Sequence, residues 1–365
     1  MRIALVHPTF WPEVRRGSER LIHDLAVTLT GRGHEVTLLT THPARADRAA
    51  EDGFAVDRAR RLPQRGPLRW YEHHVTVAPA AFARIVRGGF DIAHAFFTVD
   101  SWAAVHARRF GGPPVVASVH GVLDRQWLVK RRYRLEMLRA AAERAEVVSV
   151  LSEAAAIPYE RYLGRAPEIL PGGIMLDDFG PGGERDQRPT LFCAASLGDP
   201  RKRGPLLLRA FAQLRERVPE ARLLVATVAD PVLSGDVPAL PEGAEWVTAD
   251  STAAVADLYR RAWASVLPSV DEAFGLVLLE SMAVGTPVVA ARSGAAPELL
   301  TDERAGVLFE PDDPEALAGA MQRALQLAEA RATTDACRQL AEEWEWGRVV
   351  ERYERAYAAA LASGS

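Results

Sequence analysis

Short apolar runs alternate with longer segments of helical periodicity along most of this chain. Ile3 to Val6 is an apolar run before Pro8, and a turn-rich segment follows it. Apolar residues then recur at helical spacing, at Leu21, Ile22, Leu25, Ala26 and Leu29. Gly31 and Gly33 end this helix, and the apolar run 36–39 predicts the next strand. A strand, a glycine turn, a helix and a strand open a doubly wound α/β sheet.

The same alternation continues through the first half of the chain. The pattern predicts strands at Ile92–Phe97, Pro114–Val119 and Val147–Leu151. It predicts helices at Val77–Val86, Ser101–Arg109 and Tyr133–Arg144. Residues 1–172 are therefore expected to form one domain, with a Rossmann-like sheet.

Glycine, proline and charged residues dominate the stretch between Leu170 and Thr190, which predicts a linker at 173–189. Beyond it the alternation restarts. Strands are expected at Leu191–Ala195, Leu223–Thr227, Trp246–Thr248, Ala264–Leu267 and Pro287–Ala290. Helices are expected at Pro205–Arg217, Thr252–Ala262, Gly275–Val284 and Glu315–Leu327. A second Rossmann-like domain is thus predicted at 190–345.

The last segment carries an aromatic and apolar stripe at helical spacing. Its members are Trp344, Trp346, Val349, Val350, Tyr353, Tyr357 and Leu361. Such a stripe is typical of a packing surface rather than of a cofactor site. Residues 346–365 are expected to form a helix that returns to the first domain.

The stretch Pro268 to Leu299 combines acidic residues with an apolar helix, and the rest of the chain is organised around it. A strand that enters a turn and then a helix is the arrangement proteins use to hold anions. Glu280 falls within the apolar helix, where a buried carboxylate needs a hydrogen-bonding partner. That partner is either the hydroxyls of a sugar ligand or a core cation such as Arg292.

The spacing between Glu272 and Glu280 argues against one enzyme class, the glycoside hydrolases. Eight residues of mostly helical rise separate the two carboxylates by about 12 Å. Acid and base pairs in glycoside hydrolases stand only about 5 to 9.5 Å apart. The two glutamates are better placed to hold two ends of an elongated ligand.

Three further features lie where strands meet helices. Gly17 at the mouth of the first helix lets a ligand approach the backbone, or is a turn glycine beside Ser18 as helix cap. His120 follows a strand end, where it is either a ligand contact or structural. The cations Arg201, Lys202 and Arg203 follow the first strand of the second domain, and we interpret them as neutralising phosphate rather than as a solvated loop.

Composition sets broad limits on the kind of protein. The 365 residues are 48% hydrophobic, enough for two globular cores. Cys193 and Cys337 lack metal or redox spacing, which indicates a reduced, cytoplasmic setting. The apolar run at the start is too short for a signal peptide, and no run reaches the length of a membrane span.

The formal net charge of −4 hides an asymmetry between the halves. Residues 1–172 carry 25 Lys and Arg against 18 Asp and Glu, and the remainder carries 19 against 30. A basic first half favours an anionic partner, a lipid surface or a phosphorylated acceptor, unless the asymmetry serves solubility alone. Lys130, Arg131, Arg132 and Arg134 either meet anionic head groups at the inner membrane face or form a solvated helix face.

Taken together, these segments resemble the retaining glycosyltransferases of family four over nearly the whole chain. PSVDEAFGLVLLESMAVGTPVV is similar to the family's signature, with Glu272 and Glu280 as its paired glutamates. RGSE at 16–19 is similar to its glycine-rich first loop, and RGHEVTLLT, FDIAHA, SVHG and ILPGGIMLDDF are similar to other family segments. PRK at 200–202 looks like the phosphoinositol mannosyltransferase branch. The resemblance implies a GT-B fold, in which two Rossmann-like domains face an interdomain cleft.

The resemblance also implies roles for individual residues. Glu272 would hold the hydroxyls of the transferred sugar, and Glu280 would hold the ribose. Backbone amides of the segment 274–276, which is Phe274, Gly275 and Leu276, would bind the sugar. Lys202 would neutralise the diphosphate leaving group with Gly17 close by, and His120 would contact the sugar on the acceptor side.

Two positions depart from the family pattern. Ala195 and Ser196 stand where the family usually has Gly-Arg, so one phosphate-binding cation is missing unless Arg201 or Arg203 replaces it. Gly172 replaces the usual Asn of the linker motif.

The resulting hypothesis is retaining transfer of a hexose from a nucleotide diphosphate sugar to an acceptor hydroxyl. Neither a cofactor nor a metal is expected, because no Asp-x-Asp motif occurs at a phosphate loop and Lys202 supplies the charge. The acceptor belongs to a glycolipid, a polysaccharide or a small-molecule glycoside, and nucleic acid is not expected as a partner. The alternatives are a GT-B phosphorylase or epimerase, and a nucleotide-sugar-binding subunit that has lost activity.

Overall fold

The computed structural model of this protein describes residues 1–11, 13–14, 16–62, 73–195, 197–227 and 239–363. Ser196, one of the two positions that depart from the family pattern, lies outside the described residues. The chain divides into two compact units. The first consists of Met1–Gly173 together with Trp346–Ser365, and the second is Ile174–Glu345.

The described part of the first unit contains an eight-stranded sheet in the order β3-β4-β2-β1-β5-β6-β7-β8. Its strands are β1 (Arg2–Val6), β2 (Glu35–His42), β3 (Asp47–Glu51), β4 (Phe54–Arg60), β5 (Ile92–Ala95), β6 (Val115–Val119), β7 (Val147–Val150) and β8 (Glu168–Ile169). All neighbours pair in parallel except β3 and β4. The residues of β1 from 3 to 6 are completely buried, as expected for a central parallel strand with both faces covered.

Helices of the first unit connect these strands in the doubly wound manner. They are α1 (Gly17–Gly31), α2 (Val77–Arg87), α3 (Thr98–Arg108), α4 (Arg125–Lys130), α5 (Arg132–Arg144) and α6 (Glu153–Leu163). One apolar core joins the faces of β1, β5, β6 and β7 to α2, α3 and α5. The carboxyl ends of β1, β5 and β6 therefore lie side by side at one edge of the sheet.

The second unit repeats this plan with a six-stranded parallel sheet in the order β11-β10-β9-β12-β13-β14. Its strands are β9 (Thr190–Cys193), β10 (Arg222–Thr227), β11 (Ala244–Thr248), β12 (Ala264–Leu267), β13 (Val288–Ala291) and β14 (Gly306–Phe309). Its helices are α7 (Gly204–Arg217), α8 (Thr252–Arg261), α9 (Leu276–Ala283), α10 (Ala296–Leu299), α11 (Pro314–Leu327) and α12 (Arg331–Glu343). Strand β9 lies between β10 and β12, so the chain order reverses beside it, as at the ligand-binding point of such sheets.

The final helix, α13 (Trp346–Ser363), packs in the first unit although it follows the second unit in sequence. Glu354 accepts hydrogen bonds from Arg32 at 2.7 Å and pairs with His34 at 3.0 Å. Tyr353 donates to the carbonyl oxygen of Pro171 at 2.9 Å. The predicted class, two Rossmann-like sheets with a C-terminal helix that crosses back, is confirmed.

A buried polar ladder also joins α13 to the sheet. The Tyr357 hydroxyl lies 2.8 Å from His94 Nδ1, and His94 Nε2 lies 2.6 Å from Ser118 Oγ. Ser118 Oγ in turn lies 2.5 Å from Ser149 Oγ. Burial lowers the pKa of His94 well below its usual value, so the ring is neutral. Each of its nitrogens then has a partner, which removes the cost of burying a polar ring.

Elements that the hydrophobic pattern did not predict lie mainly at the edges of the sheets. The β3–β4 hairpin is the clearest case, because Asp52 and Gly53 both take positive φ angles, +49° and +89°, in its turn. An Asp-Gly pair is a standard hairpin signal that the pattern analysis did not use. The hydrophobic pattern also did not predict α4, α6, α10, α12, β8 and β14. The predicted aromatic stripe began two residues early, since Trp344 precedes α13 and contacts Phe274 instead.

Candidate functional site

The loop between β12 and α9 carries the central motif of the second unit. Gly275 ends this loop with a φ of +103°, a left-handed angle that side chains rarely tolerate. Helix α9 begins at the next residue, one later than predicted, and its first turn leaves backbone N–H groups without intrahelical acceptors. A glycine is therefore required where the chain turns into the helix.

A second loop holds this motif loop in place. The Ala295 amide donates to the Glu272 carbonyl at 2.9 Å, and the Asp271 amide donates to Ser293 Oγ at 3.1 Å. A Cβ atom on Gly294 would stand 2.4 Å from the Glu272 carbonyl oxygen, so only glycine fits there. The backbone of Glu272 is thus fixed on one side by close packing.

Lys202 and Glu272 are in direct contact. Lys202 lies in the turn Pro200–Lys202, which follows β9, and its ammonium donates a hydrogen bond to Glu272 Oε1. Both side chains are mostly buried, with 23% and 22% of their surface exposed. The fold therefore brings together the residue predicted to hold the sugar and the residue predicted to neutralise the diphosphate.

The two other cations of this turn have acidic partners of their own. Arg201 pairs with Asp199 at 2.7 Å and has 77% of its side chain exposed. Arg203 pairs with Asp312 and is mostly buried. Arg203 takes a φ of +55° as the residue that precedes α7. Neither guanidinium is committed to Glu272, so Lys202 is the cation of this turn that contacts the acidic motif.

Glu280 is buried in α9, with 5% of its surface exposed. The Tyr259 hydroxyl donates to Glu280 Oε2 at 3.2 Å, and Tyr259 itself is fully buried. Arg292, the cation considered as a core partner, pairs instead with Glu310 at 3.0 Å. The helix is not buried all round, because Leu276 and Val277 in its first turn are half-buried.

In the first unit, Gly17 is the first residue of α1 and is exposed. Ser18 does not cap this helix, as one interpretation of the sequence had it; Arg16 occupies the cap position in an extended conformation, without a side-chain cap. The helix mouth is thus open at Gly17.

His120 follows the carboxyl end of β6, and its ring lies 5.0 Å from the ring of Phe96. Desolvation, together with the nearby His7, lowers the pKa of His120 to about 3, so its ring is neutral. Both ring nitrogens are buried and neither has a hydrogen-bond partner among the described residues. A neutral imidazole offers one donor and one acceptor, which suits a hydroxyl group.

A connected polar group without a predicted role consists of His7, Thr9 and Glu19. His7 is the residue after β1. Its Nδ1 lies 2.7 Å from the carbonyl oxygen of Thr9, and burial lowers the pKa of the imidazole. Thr9 Oγ1 donates to Glu19 Oε1 at 2.7 Å. Glu19 is the last residue of the RGSE segment. The sequence does not show that this glutamate is buried, which is a property of the fold.

The loop before α1 is supported by the β3–β4 hairpin. Arg61 binds Glu13 through two hydrogen bonds of 2.6 and 2.8 Å. Arg58, which is 1% exposed, pairs with Glu51 at 2.7 Å and donates to the Trp11 carbonyl at 3.1 Å. These contacts hold Trp11 and Glu13, which precede α1.

The described residues contain no group of three or more His, Cys, Asp or Glu side chains arranged to hold a metal ion. Within the same part of the chain, no helix combines the length and the apolar character needed to cross a bilayer.

Comparison with known proteins gives a consistent result. A model described as glycosyl transferases group 1 matches residues 188–327, and one described as glycosyltransferase family 4 matches residues 15–178. A D-inositol 3-phosphate glycosyltransferase of Nocardiopsis dassonvillei is 30% identical over 307 residues, which cover 75% of this chain and 71% of that protein. A phosphatidyl-myo-inositol mannosyltransferase of Mycobacterium tuberculosis is 26% identical over 332 residues, covering 88% and 85%.

Other matches cover a smaller share of the relative or show the fold alone. D-inositol 3-phosphate glycosyltransferase 2 of Catenulispora acidiphila is 37% identical over 172 residues, but the match spans 41% of this chain and only 40% of that protein. Sucrose-phosphate synthase from Thermosynechococcus elongatus superposes with a TM-score of 0.82 at 21% identity, over 99% of both chains. Anabaena HepE in complex with UDP and glucose superposes with a TM-score of 0.76 at 19% identity, over 98% of this chain and 99% of that one.

Proposed function

This chain belongs to the retaining glycosyltransferases of family 4 and has the GT-B fold, and from that membership we propose that it transfers a hexose from a nucleotide diphosphate sugar to a hydroxyl of an inositol-type acceptor. The contact between Lys202 and Glu272 carries the proposal. It joins a cation suited to a diphosphate with a carboxylate suited to sugar hydroxyls, beside the open start of a helix.

Departure of the diphosphate is the demanding part of this reaction. Negative charge grows on the leaving group while positive charge develops at the anomeric carbon. Lys202 and the free amides at the start of α9 are fixed donors that stabilise the first charge. The acceptor hydroxyl attacks from the same face as the departing diphosphate, which retains the anomeric configuration and lets a phosphate oxygen take the hydroxyl proton.

We assign Glu272 to the hydroxyls of the transferred sugar. Its backbone is held by Ala295 and by the close approach of Gly294, so its carboxylate has a defined position. When the donor binds, the diphosphate competes for Lys202 and the sugar hydroxyls take its place on Glu272. The ion pair between Lys202 and Glu272 is thereby replaced by hydrogen bonds from Lys202 to the diphosphate and from the sugar hydroxyls to Glu272.

We assign Glu280 to the ribose of the donor. Its Oε2 is held by Tyr259, which orients the carboxylate without neutralising it. A carboxylate that accepts from a ribose diol is a common device in nucleotide-binding folds. Phe274, Gly275 and Leu276 supply backbone amides near the sugar in this proposal.

The acceptor class follows from the curated relatives, which are named for D-inositol 3-phosphate and for phosphatidyl-myo-inositol. Both are inositol derivatives that carry a phosphate. The first 172 residues have seven more cations than acidic residues, which favours an anionic acceptor on this side.

Contact with an anionic lipid surface is part of this proposal. Lys130 is exposed at the end of α4 and can meet head groups, and Arg131, the residue after it, is partly exposed. Arg134 cannot serve in this way as the sequence analysis supposed, because it is 7% exposed, lies 4.3 Å over the Trp127 ring and donates to the Trp127 carbonyl. The proposed location is the cytoplasmic face of a membrane.

A thermal-shift screen of UDP-, GDP-, ADP- and dTDP-sugars, followed by product analysis with candidate alcohols, tests the function. A donor that stabilises the protein and releases its nucleoside diphosphate only with an inositol acceptor supports it. Donor binding without release under any condition would instead identify a binding subunit. An epimerised donor, or consumption of inorganic phosphate, would identify an epimerase or a phosphorylase.

A further inference from the structure

Glu19 has a buried carboxylate that is only half satisfied. The residue is 3% exposed, and its Oε1 accepts a hydrogen bond from Thr9 Oγ1 at 2.7 Å. Its Oε2 is buried and has no partner among the described residues. Native proteins leave few buried polar atoms unpaired, so each such atom requires an explanation.

Other buried polar atoms without a partner among the described residues occur on the carboxyl-terminal side of the first sheet. His120 contributes both ring nitrogens, Thr40 contributes its hydroxyl, and Asp100 contributes Oδ1. Asp100 and Thr40 are themselves 0% and 3% exposed. Thr40 lies in the second half of β2, and Asp100 and His120 follow β5 and β6. This is the edge at which doubly wound sheets bind ligands. Glu19, in the first turn of the helix that follows β1, and His120, after β6, both lie at this edge.

The chemistry of these atoms selects the ligand. A carboxylate oxygen only accepts hydrogen bonds, whereas a neutral imidazole donates through one nitrogen and accepts through the other. A phosphate offers acceptor oxygens and negative charge, so Glu19 would repel it. A polyol offers donors and acceptors on each hydroxyl and matches the set. His7, which follows β1, interacts electrostatically with both Glu19 and His120.

We propose that Glu19 is a substrate-binding residue whose Oε2 accepts a hydrogen bond from a free hydroxyl of the polyol acceptor, beside His120. This inference rests on the proposed function and assigns the recognition of acceptor hydroxyls to a residue of the first unit. The phosphate of an anionic acceptor then lies away from Glu19. Thr9 is a positioning residue, since it acts on the acceptor only by orienting the carboxylate.

The test compares Glu19→Gln with wild type and with Asp24→Asn. Asp24 is a matched control because it is also buried on α1, yet its carboxylate contacts His23 at 3.0 Å and Arg20 at 3.7 Å. Nucleoside diphosphate release is measured with GDP-mannose and with UDP-glucose as donors, and with myo-inositol and D-inositol 3-phosphate as acceptors. The donor KM, the acceptor KM and the midpoint of thermal unfolding are recorded for each protein.

We expect Glu19→Gln to raise the acceptor KM about 10- to 100-fold, the scale of a hydrogen bond to a charged group. The donor KM and the unfolding midpoint stay at wild-type values, because Gln keeps the oxygen that Thr9 contacts. An unchanged acceptor KM, a raised donor KM, or a loss of folding stability comparable to the loss of activity would overturn the role of Glu19 while leaving the proposed function standing. A wild-type protein that releases no nucleoside diphosphate with any donor and acceptor overturns the proposed function and this inference together.

Discussion

The ammonium of Lys202 donates a hydrogen bond to the carboxylate of Glu272. The two residues are seventy positions apart in sequence, and the fold joins them through the turn after β9 and the loop after β12. Each side chain therefore compensates the charge of the other in the ligand-free protein. In our proposal, this ion pair stands in for the contacts that the two side chains make with the donor once it binds.

Replacing Lys202 by Ala should weaken the binding of nucleoside diphosphate. The expected loss is about 1.5 to 3 kcal/mol, the scale of a hydrogen bond to a charged group. Calorimetric titration with the nucleoside diphosphate selected by the donor screen measures it. Arg201→Ala is the control, because that side chain is 77% exposed and paired with Asp199, and it should change affinity much less. Equal losses in both variants would move the phosphate-binding role to the turn as a whole.

Glu272→Gln should lower turnover far more than it lowers folding stability. The amide keeps the shape of the side chain but loses the charge that holds Lys202 and, in our proposal, the sugar hydroxyls. Steady-state rates and urea unfolding of the same preparation give the two quantities. Glu310→Gln, at a position 73% exposed in the same unit, should leave both unchanged. Near-normal turnover of Glu272→Gln would contradict its assigned role.

Acidification should destabilise the protein through its buried neutral histidines. The folded-state pKa values of His7, His94 and His120 all lie below the usual 6.5, and that of His120 is about 3. As the pH falls, the unfolded chain therefore binds protons at a higher pH than the folded chain does. The stabilisation that comes from these neutral histidines is fully present above pH 6.5 and is lost as the pH falls towards 3. His23 has a raised pKa and Asp100 a strongly raised one, and both oppose the trend.

A variant isolates the contribution of one histidine. His23 and Asp100 are present in both wild type and His120→Gln. Their contributions to the pH dependence therefore cancel when the two proteins are compared. The wild-type free energy of unfolding should fall more steeply than that of the variant, by up to about 1.4 kcal/mol per pH unit below pH 6.5. Urea unfolding at pH 7, 6 and 5 measures the difference. Parallel pH dependences for the two proteins would show that His120 titrates normally in the folded state.

Tyr357→Phe should destabilise the first unit. The hydroxyl of Tyr357 satisfies Nδ1 of the buried His94, so its removal leaves a buried polar atom unpaired, at a cost of about 1 to 3 kcal/mol. The midpoint of urea unfolding reports this loss. Tyr162→Phe is a matched control, since Tyr162 is only partly buried. A Tyr357→Phe protein as stable as wild type would show that water or another group replaces the hydroxyl.

Much of the architecture was readable from sequence because parallel strands covered on both faces are continuous apolar runs. Strand β12, for example, has the predicted bounds. The β3–β4 hairpin was missed because its alternating, charge-rich strands at the sheet edge do not form such runs. Edge elements gain their stability from specific pairs such as Arg58 with Glu51, which periodicity does not report.

The candidate site divides in the same way. The motif around Glu272 and Glu280 was identified from residue type and spacing. The contact of Lys202 with Glu272 and that of Tyr259 with Glu280 depend on which loops the sheet brings together, so spacing along the chain could not reveal them. The half-paired carboxylate of Glu19 was equally invisible, because burial of a single glutamate is a property of the packed structure.

Helix α13 is the last described segment of the chain, yet it belongs to the unit that begins the chain. During synthesis, the first sheet must wait for the entire second unit to leave the ribosome before His94 gains its partner on this helix. If translation stalls before Trp346, the first unit lacks α13, and the apolar surface that this helix covers stays exposed. The second unit can therefore complete its fold before the first unit does, although it is synthesised later.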